Sequence, residues 1–256
     1  DKTTTRLTEH NTNDYQPFWS MDGSKILVIF SFHVALLDGV NEMYVMNADG
    51  SDLHPLAAGE VFTGDLTYSP YGGKVAYVSN ETGYWHIYMM DADGSDLKRL
   101  TFTDALDWTP YWSPDGKKVA YVSNATGKWE IWTVDVETLE RTHLTPDSCG
   151  SFAPRWRPGG DQISRVVWRG GEYAIKGSFD IGVMNPDGSE KKDPAPSPTD
   201  ERSARWSPDG TYLLYAFRPE AGEEIRMYYV PYPEITQPGA AANPLPLPTS
   251  FFANPL

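Results

Sequence analysis

Short runs in which apolar and polar residues alternate are separated along the chain by clusters of Gly, Pro, Asn, Asp and Ser. Lys118-Val119-Ala120-Tyr121-Val122-Ser123 is one such run, with the period of two that a half-buried strand requires. No segment keeps a helical period over ten or more residues. The alternation therefore predicts an all-β chain.

The runs repeat. Residues 68–83 and 112–127 match almost residue for residue at an offset of 44, as Tyr68-Ser69-Pro70-Tyr71-Gly72-Gly73-Lys74-Val75-Ala76-Tyr77-Val78-Ser79 and Trp112-Ser113-Pro114-Asp115-Gly116-Lys117-Lys118-Val119-Ala120-Tyr121-Val122-Ser123. Further copies open at Trp19, Trp156 and Trp206, so that successive offsets are 49, 44, 44 and 50. Each copy reads as four strands. An aromatic-bearing strand ends at the Ser-Pro-Asp-Gly turn, where Pro presets φ and Gly accepts a positive one. The alternating strand follows, then a turn opening at Asn80 or Asn124 and a third strand such as Trp129-Glu130-Ile131-Trp132-Thr133-Val134. An Asp-Gly turn leads to a short fourth strand ending near Leu7-Thr8, Leu100-Thr101 or Leu144-Thr145. Four antiparallel strands in about 40–50 residues are the makings of a propeller blade, which needs neighbours to bury its two faces.

The run Trp-Ser-Pro-Asp-Gly-Lys-Lys-Val-Ala-Tyr-Val-Ser, followed by Ile-Trp-Thr-Val-Asp or Ile-Tyr-Met-Met-Asp-Ala-Asp-Gly-Ser, resembles the repeat of TolB-type β-propellers. The resemblance covers nearly the whole chain, without the small α/β domain that precedes the propeller in TolB. It implies a β-propeller of four-stranded antiparallel blades, with five recognisable repeats over residues 1–233 and a Pro-rich extension over 234–256. It is far less specific for function, because such repeats serve periplasmic scaffolds, peptidase-associated propellers and sugar lyases alike.

The two ends leave the closing blade open. Thr3 to Thr8 matches the fourth strand of a repeat whose beginning is missing, while Leu245 to Thr249 sits where repeats end. Residues 249–256 reproduce the spacing of residues 199–206, as if a sixth repeat began. A fragment of a six-bladed propeller, a closed five-bladed one with a surplus tail, and a terminal segment donated to a neighbouring copy all fit. The last would give a homo-oligomer or a filament.

Composition narrows the functional classes. Of 256 residues 40% are hydrophobic, enough for a sizeable core, and 9 Trp with 15 Tyr suit strands packed face to face. The formal net charge of −14 argues against nucleic acid, whose affinity comes from neutralised phosphates, and favours a basic partner or divalent cations. No apolar run approaches 18 residues, so no membrane insertion is expected. Cys149 is the single cysteine, which precludes an intrachain disulfide. A start at Asp1 fits removal of an export signal, and equally a trimmed chain.

Candidate chemistry is thin. Asp91-Ala92-Asp93-Gly94-Ser95-Asp96 resembles the start of a calcium loop, with Asp91, Asp93 and Asp96 as ligands, but lacks the terminal bidentate Glu. A hairpin turn held by Asx side chains explains it better. Asn80 and Asn124 open Asn-x-Thr glycosylation patterns at equivalent turns. The histidines, at 10, 33, 54, 86 and 143, lack metal-ligand spacing, and Cys149 has no identifiable base partner. Two insertions carry the contact candidates: Phe30, Phe32, Leu36 and Leu37 in the first repeat, and Trp168, Arg169 and Tyr173 in the fourth. Leu245, Leu247, Phe251 and Phe252 add a third set in the tail. The reading is a non-catalytic, cofactor-free scaffold of the periplasm or extracellular space that binds a protein partner or copies of itself. A polysaccharide lyase or hydrolase is the alternative, and clustering of His10, His86 and His143 at a cavity would favour it.

Overall fold

A computed structural model describes residues 4–9, 13–20, 22–34, 37–56, 64–146, 150–169, 178–192, 200–218 and 226–232. These contain strands and turns and no helix. Two compact units divide the chain, Asp1–Pro110 and Tyr111–Leu256.

The first unit holds two four-stranded antiparallel sheets. One is β1 (Asn13–Trp19), β2 (Lys25–Val34), β3 (Leu37–Asn47) and β4 (His54–Pro55). The other is β5 (Gly64–Tyr68), β6 (Lys74–Ser79), β7 (His86–Asp91) and β8 (Lys98–Arg99). In both, strands neighbour one another in chain order. The apolar insertion of the first repeat forms a long hairpin, with Phe32 paired to Val40 and Val34 to Leu37.

Along the chain, β9 (Asp107–Trp112) crosses into the second unit. It belongs to the sheet completed by β10 (Lys118–Ser123), β11 (Glu130–Asp135) and β12 (Arg141–His143). Two sheets of three described strands follow. They are β13 (Ser151–Trp156), β14 (Ile163–Arg169) and β15 (Ser178–Met184), then β16 (Asp200–Trp206), β17 (Tyr212–Arg218) and β18 (Arg226–Pro231). Each of the five sheets begins with a strand that ends on Trp19, Tyr68, Trp112, Trp156 or Trp206.

The middle strands are buried on both faces, not on one as the alternation predicts. In β6, Val75, Ala76, Tyr77, Val78 and Ser79 are all buried, and β10 repeats this from Val119 to Ser123. Sheet-on-sheet stacking within each unit accounts for one of these faces. Within the first unit Val75, Tyr77, Tyr88 and Met90 of the second sheet pack on Leu27, Ile29, Met43 and Val45 of the first. In the second unit Ala120, Val122 and Ile131 meet Trp156, Ile163 and Met184, while Val166, Ile181 and Val183 meet Ala204, Leu213 and Tyr215. Each large apolar side chain removed from water this way contributes roughly 1.5–3 kcal/mol.

Close approach at the Asp-Gly turns locks successive sheets. Gly94 (φ +88°) lies so near the carbonyl oxygen of Leu56 that an added Cβ would collide with it, and at Gly188 the same atom would come within 2.5 Å of Leu144 O. Leu7 stands against Gly50 in the same way. The Arg6 Nε–H donates to Thr8 O at 2.5 Å, as Arg99 Nε–H donates to Thr101 O at 2.6 Å. Residues 6–8 thus reproduce the local structure at the end of a fourth strand, as their sequence predicts.

Candidate functional site

The Ser-Pro-Asp-Gly turn has a fixed internal chemistry. Asp22 Oδ1 accepts from the Ser20 hydroxyl at 2.6 Å and from the Ser24 amide at 3.0 Å. Asp115 and Asp209 do the same with Ser113 and Lys117, and with Ser207 and Thr211. These bonds hold the carboxyls of Asp22 and Asp209 down at about 2, the serine hydroxyl being the largest cause. The carboxylates are turn parts first.

The second repeat departs from this pattern. Tyr71 stands where the first, third and fifth repeats have Asp22, Asp115 and Asp209, and Ser69 Oγ accepts the Lys74 amide at 3.1 Å. Freed from the turn, the Tyr71 side chain is 78% exposed, and Trp19 beside the first turn is 59% exposed. Between the two turns lies a cavity of about 490 Å³, lined by Ser20, Asp22, Ser24 and Lys25 on one side and Tyr68, Tyr71, Gly72, Gly73 and Ala92 on the other. The Tyr68 hydroxyl is buried without a hydrogen-bond partner, and burial, helped by the Asp22 charge, pushes it up to about 12. The Lys25 ammonium donates to Asn47 Oδ1 at 2.7 Å and stands 3.7 Å from Asp52. A concave site with aromatic walls and a few oriented polar groups is suited to holding a ligand.

Titratable groups buried elsewhere are enclosed. His86, at the start of β7, is 1% exposed, and its Nδ1 lies 3.6 Å from Asp107 Oδ2, itself fully buried. Burial first, and the nearby Arg99 charge second, pull the imidazole below its ordinary value, so it is held neutral. On β11 and β12 of the second unit, His143 Nε2 lies 3.0 Å from Glu130 Oε2 and the imidazole stacks on Trp132 at 4.1 Å. Arg141 covers the other aromatic surfaces there, donating from Nε to Tyr121 Oη at 2.6 Å. Arg165, 1% exposed, donates to Ser151 Oγ at 2.7 Å.

The candidates read from sequence separate clearly. Phe30 corrects the expectation of a contact surface: it is 1% exposed, packed with Ile26, Val28 and Met46 and 4.6 Å from the Tyr44 ring, because β2 turns it inward. Trp168 is half-buried, its ring 4.7 Å from Phe179 and its amide bonded to Gly150 O. Phe32, His33 and Leu37 lie on β2 and β3, and Arg169 pairs with Ser178. His10, Leu36, Cys149, Tyr173, Leu245, Leu247, Phe251 and Phe252 fall outside the described residues, as does the extension from 233 onward. The calcium-loop carboxylates are engaged by the protein itself. Lys74 Nζ bridges Asp91 at 2.7 Å and Asp96 at 3.5 Å, and Asp93 accepts from the Ser95 amide and hydroxyl. Among the described residues no three His, Cys, Asp or Glu side chains gather as a metal site would require. Asn80 and Asn124 occupy equivalent turns, each carbonyl accepting from the Gly three residues on. His54 is exposed on β4, its Nδ1 2.7 Å from Asp52 O. Sequence reading passed over Tyr71, whose signal was an aromatic at the Asp position of an otherwise regular turn.

Residues 105–230, just under half of the chain, match the family model of the TolB beta propeller domain, in agreement with the resemblance read from the repeats. No curated protein matches it in sequence. Among solved structures it is similar to a protein identified as TolB from Agrobacterium tumefaciens, at 19% identity and a TM-score of 0.68, over 88% of this chain and 79% of that one. It is similar at 19% identity and a TM-score of 0.65 to TolB from Acinetobacter baumannii, over 88% of this chain and 53% of that one. An oligogalacturonate lyase from Vibrio parahaemolyticus gives a TM-score of 0.71 at 14% identity, over 90% of this chain and 69% of that one. At these identities the likeness is one of fold.

Proposed function

We propose that the chain is a non-catalytic binding protein of the cell envelope or extracellular space, which engages a protein partner through the turns of its first two sheets. The observation that carries this reading is Tyr71. It stands where three other turns have an Asp that accepts hydrogen bonds within the turn, and it is 78% exposed beside an open cavity. Exposed Trp and Tyr are the residues that anchor protein interfaces, since they bury large area at low entropic cost. The match to the TolB propeller domain supports a binding role, and the charge of −14 suits a basic partner.

Replacing Trp19 and Tyr71 together by Ala tests the proposal. Neither side chain belongs to the core, so the double variant should keep the thermal midpoint of the parent while losing retention of the partner from an envelope extract. A variant that retains its partner, or a parent that turns over oligogalacturonides or peptides, would contradict the reading.

A further inference from the structure

The same turn geometry recurs between β13–β15 and β16–β18 in the second unit, where the space corresponding to the cavity is filled. Ser20 and Arg157 hold the same place: their amides donate to Lys25 O at 2.9 Å and Gln162 O at 2.8 Å, and their carbonyls accept from Gly23 and Gly160. Ala92 and Tyr232 correspond likewise, donating to Gly73 O at 3.0 Å and Thr211 O at 2.8 Å. Tyr68 and Trp206 both end the first strand of the following sheet. In the second unit the Arg157 guanidinium lies 4.2 Å from the Tyr232 ring and 5.8 Å from that of Trp206. Its Nε–H donates to Gly210 O at 2.8 Å and its Nη1 reaches Asp161 at 2.5 Å. In the first unit Ser and Ala stand in place of Arg157 and Tyr232, and the cavity of about 490 Å³ is what remains.

We propose that this cavity binds the guanidinium of an arginine presented by a partner protein, in the place that Arg157 fills from within the chain. The Tyr68 ring supplies the aromatic surface that Trp206 offers Arg157, and Gly72 stands where Gly210 provides its carbonyl. Asp22 lines the cavity as a carboxylate. The surrounding charge is acidic: Asp22, Asp52, Asp91 and Asp96 stand near Lys25 and Lys74, and both ammonium groups are engaged by these aspartates, Lys25 by Asp52 and Lys74 by Asp91 and Asp96. A planar, weakly hydrated guanidinium stacks on an aromatic ring and reaches a carbonyl and a carboxylate at once, which a lysine ammonium does not. This inference rests on the binding role proposed above and names the chemistry recognised.

The test is an NMR titration of the full chain with a blocked Gly-Arg-Gly peptide, its Gly-Lys-Gly counterpart and methylguanidinium. Saturable shifts confined to residues 20–25, Gly72, Gly73 and Ala92 are expected with the arginine peptide, with the lysine peptide about tenfold weaker. Ser20→Arg should abolish them, because the chain then fills its own cavity, while leaving the rest of the spectrum folded. Should that variant not fold, Asp22→Asn carries the test through an about threefold or greater loss of affinity. Equal response to arginine and lysine, or binding unchanged in these variants, would overturn the inference. Methylguanidinium binding as tightly as the peptide would overturn the peptide-borne source. A partner captured through Tyr71 without any arginine response would refute this inference and leave the binding role standing.

Discussion

His86 has the most to lose from acid among the described residues. Its imidazole is enclosed and held below the ordinary 6.5, so the folded state resists a proton that the unfolded chain accepts. Stability therefore falls as pH drops through about 6.5, and the thermal midpoint should decline from about pH 7.5 to about pH 5.5. His86→Gln should flatten that decline; an unchanged slope would remove His86 as its cause. Asp22 and Asp209 act in another window. Their carboxyls sit at about 2 against 3.8, so what they contribute is present above about 3.8 and is lost towards 2. Glycines give a sharper contrast. Gly94→Ala meets both a positive φ and the Leu56 carbonyl and should cost about 2–4 kcal/mol, whereas Gly83→Ala, with open space around its Cβ, should cost about 1–2 kcal/mol in denaturant titration. The need for Gly at these turns was legible in the Asp-Gly and Asn-x-x-Gly patterns. What Tyr71 does was not, because a lone aromatic in a turn reads the same whether it packs or protrudes.

At the scale of strands, the chain repeats one irregularity. Thr109 (φ 50°), Ala153 (φ 49°) and Ser203 (φ 59°) sit three residues before Trp112, Trp156 and Trp206, and the pairing register shifts across Ala153 and Ser203. These are irregularities that bend the first strand of these three sheets. A β-branched residue there is strained by about 1–2 kcal/mol, and Gly would forfeit about 0.5–1 kcal/mol in chain entropy. Thr109→Gly should therefore stabilise by about 0.5–1 kcal/mol, read as a higher denaturation midpoint; a lower one would mean that the Thr side chain makes a compensating contact. Strand order and turn positions were legible because an aromatic and a turn Gly punctuate every repeat, with Pro between them in four of the five. The irregularities were not, since Thr, Ala and Ser carry no signature of positive φ. Burial on both faces of β6 and β10 was also hidden: Ala and Ser alternate there with Val and Tyr, and small residues facing a neighbouring sheet resemble residues facing water.

For the whole molecule, the repeat made the resemblance to TolB-type propellers legible, and the match over residues 105–230 agrees with it. The proposed function was less legible because it rests on departures from the repeat, Tyr71 in one turn and Arg157 in another. Calcium provides a check on the acidic turns. With Lys74 already bridging Asp91 and Asp96, millimolar calcium should leave the thermal midpoint unchanged, and a clear rise would require a cation to displace that ammonium. The most direct measurement of the central claim places a photo-crosslinking amino acid at position 71, with position 97, also exposed, as control. Irradiation in the native envelope followed by mass spectrometry should yield one discrete protein adduct from position 71 and none from position 97. Equal labelling from both positions, or none from either, would contradict a binding surface at the turns of the first two sheets.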